Sequence, residues 1–244
     1  ENPYFAKAIV NRLWRMLMGR GLIEPTDDVR STNPPSHPEL LDFLADDFVG
    51  HGYDLRHTLR LIASSAAYAR SAIATDQNRS DQMFYSHALV RPLESEVLAD
   101  ALADVTGVWE QYGDHPTGTR AVSLFDPQLP SQSLDVLGRC SREQSCESQP
   151  TAMTLTQSLH LINGQLVNRR LAADEGRLRR LVDAGMSNDG IVKDFYLRAL
   201  SRAPTDEELA YWRKQLPSSP EERTEALQDF IWSFLVCAEF VTNH

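Results

Sequence analysis

Asn11, Arg12, Asp27, Asp28, Arg30, Asn33, Ser36 and His37 set amide, guanidinium, carboxylate and imidazole groups on one helix and the polar loop after it. In a cleft, Asp28 and His37 could act as acid and base with Arg12 beside them. The same groups could staple the loop, Arg12 pairing with Asp28 and Asn11 satisfying loop main-chain groups. One acid–His pair with no nucleophile in view favours the staple. Asn11, Arg12, Asp28, Arg30, Asn33 and His37 stand as binding candidates, and Asp28, His37 and Arg12 as the catalytic ones.

Other chemistry-bearing residues are sparser. His51, Asp54 and His57 are metal-ligand types. His51 lies in a Gly-flanked helix stop, however, and Asp54 is required as the next helix cap, so no metal site is expected. Asp46-Asp47 is read as a solvated helix face without Ca²⁺-loop spacing. His160, between Leu159 and Leu161, is read as a half-buried, hydrogen-bonded residue. Cys140 and Cys146 are near enough to bridge within a loop, and Cys237 makes the count odd. No Cys-x-x-Cys, Gly-x-Ser-x-Gly or His-Glu-x-x-His occurs, and no cofactor is expected. Trp109 and Tyr112 fall outside helical spacing and could form a platform on which a sugar stacks. Trp14, Trp212 and Trp232 sit among apolar residues as core.

The elements that must position these groups are helices. Asn2-Pro3 opens one, with Phe5, Ile9, Leu13 and Leu17 at helical spacing before Gly19. After the loop, Ser36-His-Pro-Glu39 has the form of a capping box, and Pro204-Thr-x-x-Glu208 repeats it. The helix after Ser36 carries Leu40, Leu41, Leu44 and Phe48. Asp54 opens another, with Leu55, Leu59, Ile62 and Tyr68 inward, and a further helix follows Pro92. Residues 107–150 are rich in Gly, Pro, Ser and Asp, and only Arg120–Phe125 could be a strand. Helices resume over 151–174, 175–184, 188–201, 205–215 and 221–240. The expectation is an all-α, irregular multi-helical array over 1–244 as one domain. Its helical parts, 1–106 and 151–244, flank an irregular insertion at 107–150 that holds at most a short β-hairpin.

Composition narrows the function classes. A formal net charge of −10, with only three lysines, argues against nucleic-acid binding, which needs a dense basic face. Arg169-Arg170 and Arg177-x-Arg179-Arg180 are read as solvated faces beside carboxylates. Apolar residues at 42% suffice for a core, and no run is long enough for a membrane span. The chain opens without Met, directly onto a helix, and is read as part of a larger secreted protein.

Several runs resemble one family. They are Asn2-Pro-Tyr-Phe-Ala6, Arg12-Leu-Trp14, Gly19-Arg-Gly-Leu22, Asn33-Pro-Pro-Ser-His-Pro-Glu-Leu-Leu41 and Arg91-Pro-Leu-x-x-Glu-Val-Leu98, followed by Gly118-Thr-Arg-Ala121, Leu137-Gly-Arg139, Gln157-x-Leu-His-Leu-x-Asn-Gly164 and Glu239-Phe-x-x-Asn-His244. Together they resemble the planctomycete-type family catalogued as domain of unknown function 1553. The resemblance implies a C-terminal domain of a periplasmic or secreted protein. It further implies upstream domains that often include a c-type cytochrome module, and a sulfatase-like secreted partner. It brings no catalytic residues with it. The family's Cys-x-Cys-Glu-Arg pattern is reduced here to Cys146-Glu-Ser-Gln149, with Cys140 left as a disulfide partner.

The functional expectation is a module that binds or scaffolds within such a cytochrome-linked protein, with polysaccharide as a ligand class. A hydrolase or lyase for sulfated or complex polysaccharide is the alternative. A redox accessory role, resting on Cys140 and Cys146, is the third reading.

Overall fold

The computed structural model describes residues 2–126, 128–140, 153–217 and 219–243. They are mostly helical, and their strands are two residues each, β1 (Arg91–Pro92) and β2 (Thr242–Asn243). The chain divides into two compact units, 1–91 and 92–243.

The first unit is built on α1 (Pro3–Met18), α2 (Pro38–Gly50) and α3 (Leu55–Ala63). Asn2 caps α1 by accepting the Tyr4 N–H, and Gly19 ends it. The buried stripe of α1 is Ala6, Val10, Leu13, Trp14 and Met18. Leu13, Val10 and Trp14 are expected on this face and Ile9 and Leu17 pack against it, whereas Phe5 is exposed with its ring edge-on to Tyr53. Leu41, Leu44, Ala45 and Phe48 of α2 and Ile62 of α3 complete the core. Leu55 and Tyr68, expected inward, are exposed, Tyr68 because α3 ends at Ala63.

The predicted capping box at Ser36 does not form. Pro38 takes the first helical position, so His37 is the N-cap residue and makes no side-chain cap bond. Ser36 instead donates its N–H to the Leu22 carbonyl. Beyond α3 the chain is irregular. Asp81 stands against the Ser86 side chain and accepts from the N–H groups of Phe84, Met83 and Ser86, which together hold its carboxyl far below the usual range. That turn delivers Tyr85 to the core, where its hydroxyl donates to the Gly21 carbonyl at 2.7 Å. Burial pushes the phenol up to about 12.

The second unit begins with α4 (Ser95–Thr106) and continues, after the irregular segment, with α5 (Gln132–Val136), α6 (Leu155–Asn163) and α7 (Gln165–Ala172). It closes with α8 (Arg177–Asp183), α9 (Asn188–Leu200), α10 (Asp206–Gln215), α11 (Pro220–Leu235) and α12 (Ala238–Val241). Leu98 and Leu102 of α4, Val167 of α7, Ile191 and Phe195 of α9 and Phe230 and Ile231 of α11 form its core. The helix expected over 151–174 is broken at Gly164, where a Cβ would lie 2.1 Å from the His160 carbonyl oxygen. On α10 the second capping box does form: Thr205 and Glu208 exchange side-chain-to-N–H bonds in both directions. Trp212 and Trp232 are partly buried against this core, as expected.

The predicted strand at 120–125 is a single 3₁₀ turn, Ala121–Ser123. Buried Asp100 of α4 accepts the N–H groups of Ala121 at 2.7 Å and Val122 at 3.3 Å, so no strand partner is needed. Phe125 is 95% exposed. No hairpin occurs among the described residues of 107–150.

Candidate functional site

In the first unit the loop cluster is largely engaged with itself. Asn11 is fully buried. Its amide donates to the carbonyls of Ile23 and Thr26, both at 3.0 Å, and its oxygen accepts the Ile23 N–H. Asn33 donates to the Asp28 carbonyl at 3.0 Å and the Glu24 carbonyl at 3.2 Å. Arg12 does not take Asp28 as predicted. It reaches Asp27 at 2.9 Å, because Asp28 is held by Arg30 at 2.6 Å. His37 Nδ1 lies 3.1 Å from Ser36 Oγ, and its ring packs on Phe84 and Tyr85. The bonds of Asp28 and His37 thus lead to different partners. What the arrangement does chemically is fix an irregular loop over α1.

Asp54 accepts the N–H groups of Arg56 and His57 as the cap of α3, as its sequence position suggested. Asp47, expected on a solvated face, is only 19% exposed at its side chain and pairs with both His51 and His57.

The second unit holds a cleft of about 640 Å³ between the start of the irregular segment, α5, and the α6–α7 break. Its floor is a closed polar network. Arg170, read from sequence as a solvated face, is buried. It donates to the Leu166 carbonyl at 2.9 Å and to Glu110 at 3.3 Å. Glu110 also accepts from Ser131 at 3.0 Å and from Ser133. The rim is different in kind. His160, Asn163, Gln165 and Arg169 line it, and among the described residues none of the four makes a side-chain hydrogen bond or ion pair. Among the described residues His160 therefore makes no side-chain hydrogen bond of the kind expected, though it is half-buried.

Trp109 lines the same cleft and carries the Arg120 guanidinium 5.4 Å from its ring centre. Arg120 is itself fixed by Asp104 of α4 through bonds of 2.9 and 3.0 Å. Tyr112, paired with Trp109 in the sequence reading, is instead buried in the core. Burial, with Glu110 and Asp100 nearby, drives its phenol well above the ordinary value. A buried ring offers no stacking face.

Cys140 is disulfide-bonded and Cys237 is a free thiol. Cys146 lies outside the described residues, as does the rest of the Cys146–Gln149 run.

Sequence reasoning missed Glu110, Asn163, Gln165 and Arg169 as a group. The signal was the Gln157-x-Leu-His-Leu-x-Asn-Gly164 run: Gln157 closes the cap of α6, and His160, Asn163 and Gly164 face the cleft. The family model described as PSD1, protein of unknown function (DUF1553), matches residues 1–216. No curated protein and no solved structure matches the chain.

Proposed function

The chain belongs to the DUF1553 family, and from that premise we propose that it is a non-catalytic binding module whose ligand is an acidic or sulfated polysaccharide. The observation that carries this reading is the rim of the second-unit cleft. Two amides, an imidazole and a guanidinium there have no side-chain hydrogen bond or ion pair among the described residues, beside the Trp109 ring. Polar groups left for hydrogen bonds, a cation and an aromatic face are what a sugar acid requires. The cleft volume of about 640 Å³ falls within the usual small-ligand range.

The hydrolase alternative has less to stand on. A glycosidase needs two carboxyl groups roughly 5–9.5 Å apart. Among the described residues lining this cleft Glu110 is the one carboxylate, and its oxygens are taken by Ser131, Ser133 and Arg170. We further place the module outside the cytoplasm, in the periplasm or secreted. Its partners there would be the upstream domains of its own polypeptide, a c-type cytochrome module among them, and a sulfatase-like protein. The disulfide at Cys140 supports that compartment, since such bonds persist where the environment is oxidising.

Calorimetric titration of the chain with neutral and sulfated oligosaccharides tests the reading. Sulfated chains should bind more tightly, and Arg169→Ala should weaken them about tenfold, the scale of one charge-assisted bond. Circular dichroism of that variant should be unchanged. Absence of saturable binding to either class would end the proposal.

A further inference from the structure

Asp47, His51 and His57 converge where α2 gives way to α3. Asp47 and His51 are four residues apart, on one face of the helix end. Gly52 and Tyr53, both at φ 65°, then reverse the chain so that His57, in the first turn of α3, returns to that face. His57 Nε2 lies 2.9 Å from Asp47 Oδ2. His51 Nδ1 lies 3.3 Å from Asp47 Oδ1 and 2.9 Å from the Asp47 carbonyl oxygen. The two imidazole rings stack with centres 3.7 Å apart and planes 17° from parallel. One ligating atom from each of the three side chains lies within 4.8 Å of the other two.

We propose that Asp47, His51 and His57 form a site for one borderline divalent cation of the Zn²⁺ class. The ligand types decide the class: two imidazoles and one carboxylate suit Zn²⁺, Co²⁺ or Ni²⁺, whereas Ca²⁺ and Mg²⁺ want oxygen shells. Spacing supports it. Bonds of about 2.0–2.2 Å in a tetrahedron put ligand atoms about 3.3–3.6 Å apart. His57 Nε2 lies 2.9 Å from Oδ2 of Asp47 and His51 Nδ1 3.3 Å from Oδ1, so each imidazole meets its own carboxylate oxygen, and one ligand atom from each side chain lies within 4.8 Å of the other two.

Metal binding displaces the protons of these contacts and requires the imidazole lone pairs to converge. The His51 ring, with 49% of its side chain exposed, is able to swing out of the stack to achieve this. Asp54 takes no part as a ligand. Its carboxylate is committed to the α3 cap and fixes the backbone of His57. The carbonyl end of α2 adds partial negative charge beside the cation. The fourth position faces solvent and takes water, as in open three-ligand sites.

The test is titration of the full chain with ZnCl₂ by calorimetry and with CoCl₂ by visible absorption. It is run at about pH 7.5, above the ordinary imidazole pKa of about 6.5. One equivalent should bind, with the absorption bands of four-coordinate Co²⁺. Binding should fall about tenfold or more in Asp47→Asn and in His57→Gln, and vanish at about pH 5, because protons compete with the metal for imidazole nitrogen. His51→Gln changes only the exposed member of the cluster, so its loss of binding cannot be put down to unfolding. The proposal is overturned if wild type shows no saturable binding. It is equally overturned if the triple variant Asp47→Asn, His51→Gln, His57→Gln binds as wild type does.

Discussion

The side-chain amide of Asn11 pairs with the main chain of Ile23 in both directions, its oxygen accepting the N–H and its nitrogen donating to the carbonyl, each at 3.0 Å. Helix α1 thereby gives the loop after it the rung that a neighbouring strand would give. The close approach depends on Gly21. A Cβ there would stand 2.5 Å from the Ile23 carbonyl oxygen and 3.0 Å from Asn11 Oδ1.

Asn11→Ala leaves those buried main-chain groups without partners. The expected cost is about 2–4 kcal/mol in urea unfolding, a few unsatisfied groups at about 1–3 kcal/mol each, partly relieved by water. Arg12→Ala, one residue on, removes only an exposed ion pair and should change stability by less than about 0.5 kcal/mol. Equal costs for the two would show that the rung does not hold the loop.

Asp100 plays the matching part in the second unit. Asp100→Ala should release the 3₁₀ turn at Ala121–Ser123 and destabilise the unit by about 1–3 kcal/mol. Hydrogen exchange at the Ala121 and Val122 amides should accelerate more than at the centre of α11. Uniform acceleration across both would argue against a local anchor.

Glu208 gives a pH dependence with a defined sign. Its bond to Arg202, then the Thr205 N–H, hold its carboxyl at about 2, against an ordinary value near 4.5. A depressed folded pKa means stability that is present above pH of about 4.5 and lost as pH falls toward about 2. Solvent reaches this pair, so the loss is about 1 kcal/mol. The melting temperature of wild type should drop through that window, while Glu208→Gln should show a shallower drop. Parallel profiles would refute the assignment.

Thiol counting checks the covalent state. The sequence has three cysteines, of which Cys140 is bridged and Cys237 is free. Protein denatured without reductant should titrate one thiol, and three after reduction. Three thiols without reductant would remove the disulfide and, with it, the structural support for an oxidising compartment.

Much of the fold is legible in the sequence because helix ends are local events. Asn2 and Asp54 cap, and Gly19 and Gly107 terminate, wherever the rest of the chain goes, since each satisfies helix-end groups within a few residues. The paired runs at Ser36 and Thr205 show where that locality ends. Thr205 and Glu208 complete the capping box. Ser36, with the same pattern, gives its N–H to Leu22 across the loop, and Pro38 moves the helix start one residue on. A tertiary hydrogen bond there outcompetes a local one of similar worth.

By itself the sequence determined an all-α chain, the family, the approximate helix positions and the polar character of the α1 loop. Which carboxylate meets which cation was decided only in three dimensions, because near and distant partners compete for the same groups. Asp28 is drawn to Arg30, which leaves Asp27 for Arg12. Arg170 turns inward to Glu110, sixty residues away in sequence. Asp47 meets two histidines because left-handed residues at 52 and 53 fold α3 back onto the end of α2. Periodicity assigns a residue to a face of its own helix. The side chain that will stand opposite is set by packing, and packing sums contacts over the whole unit.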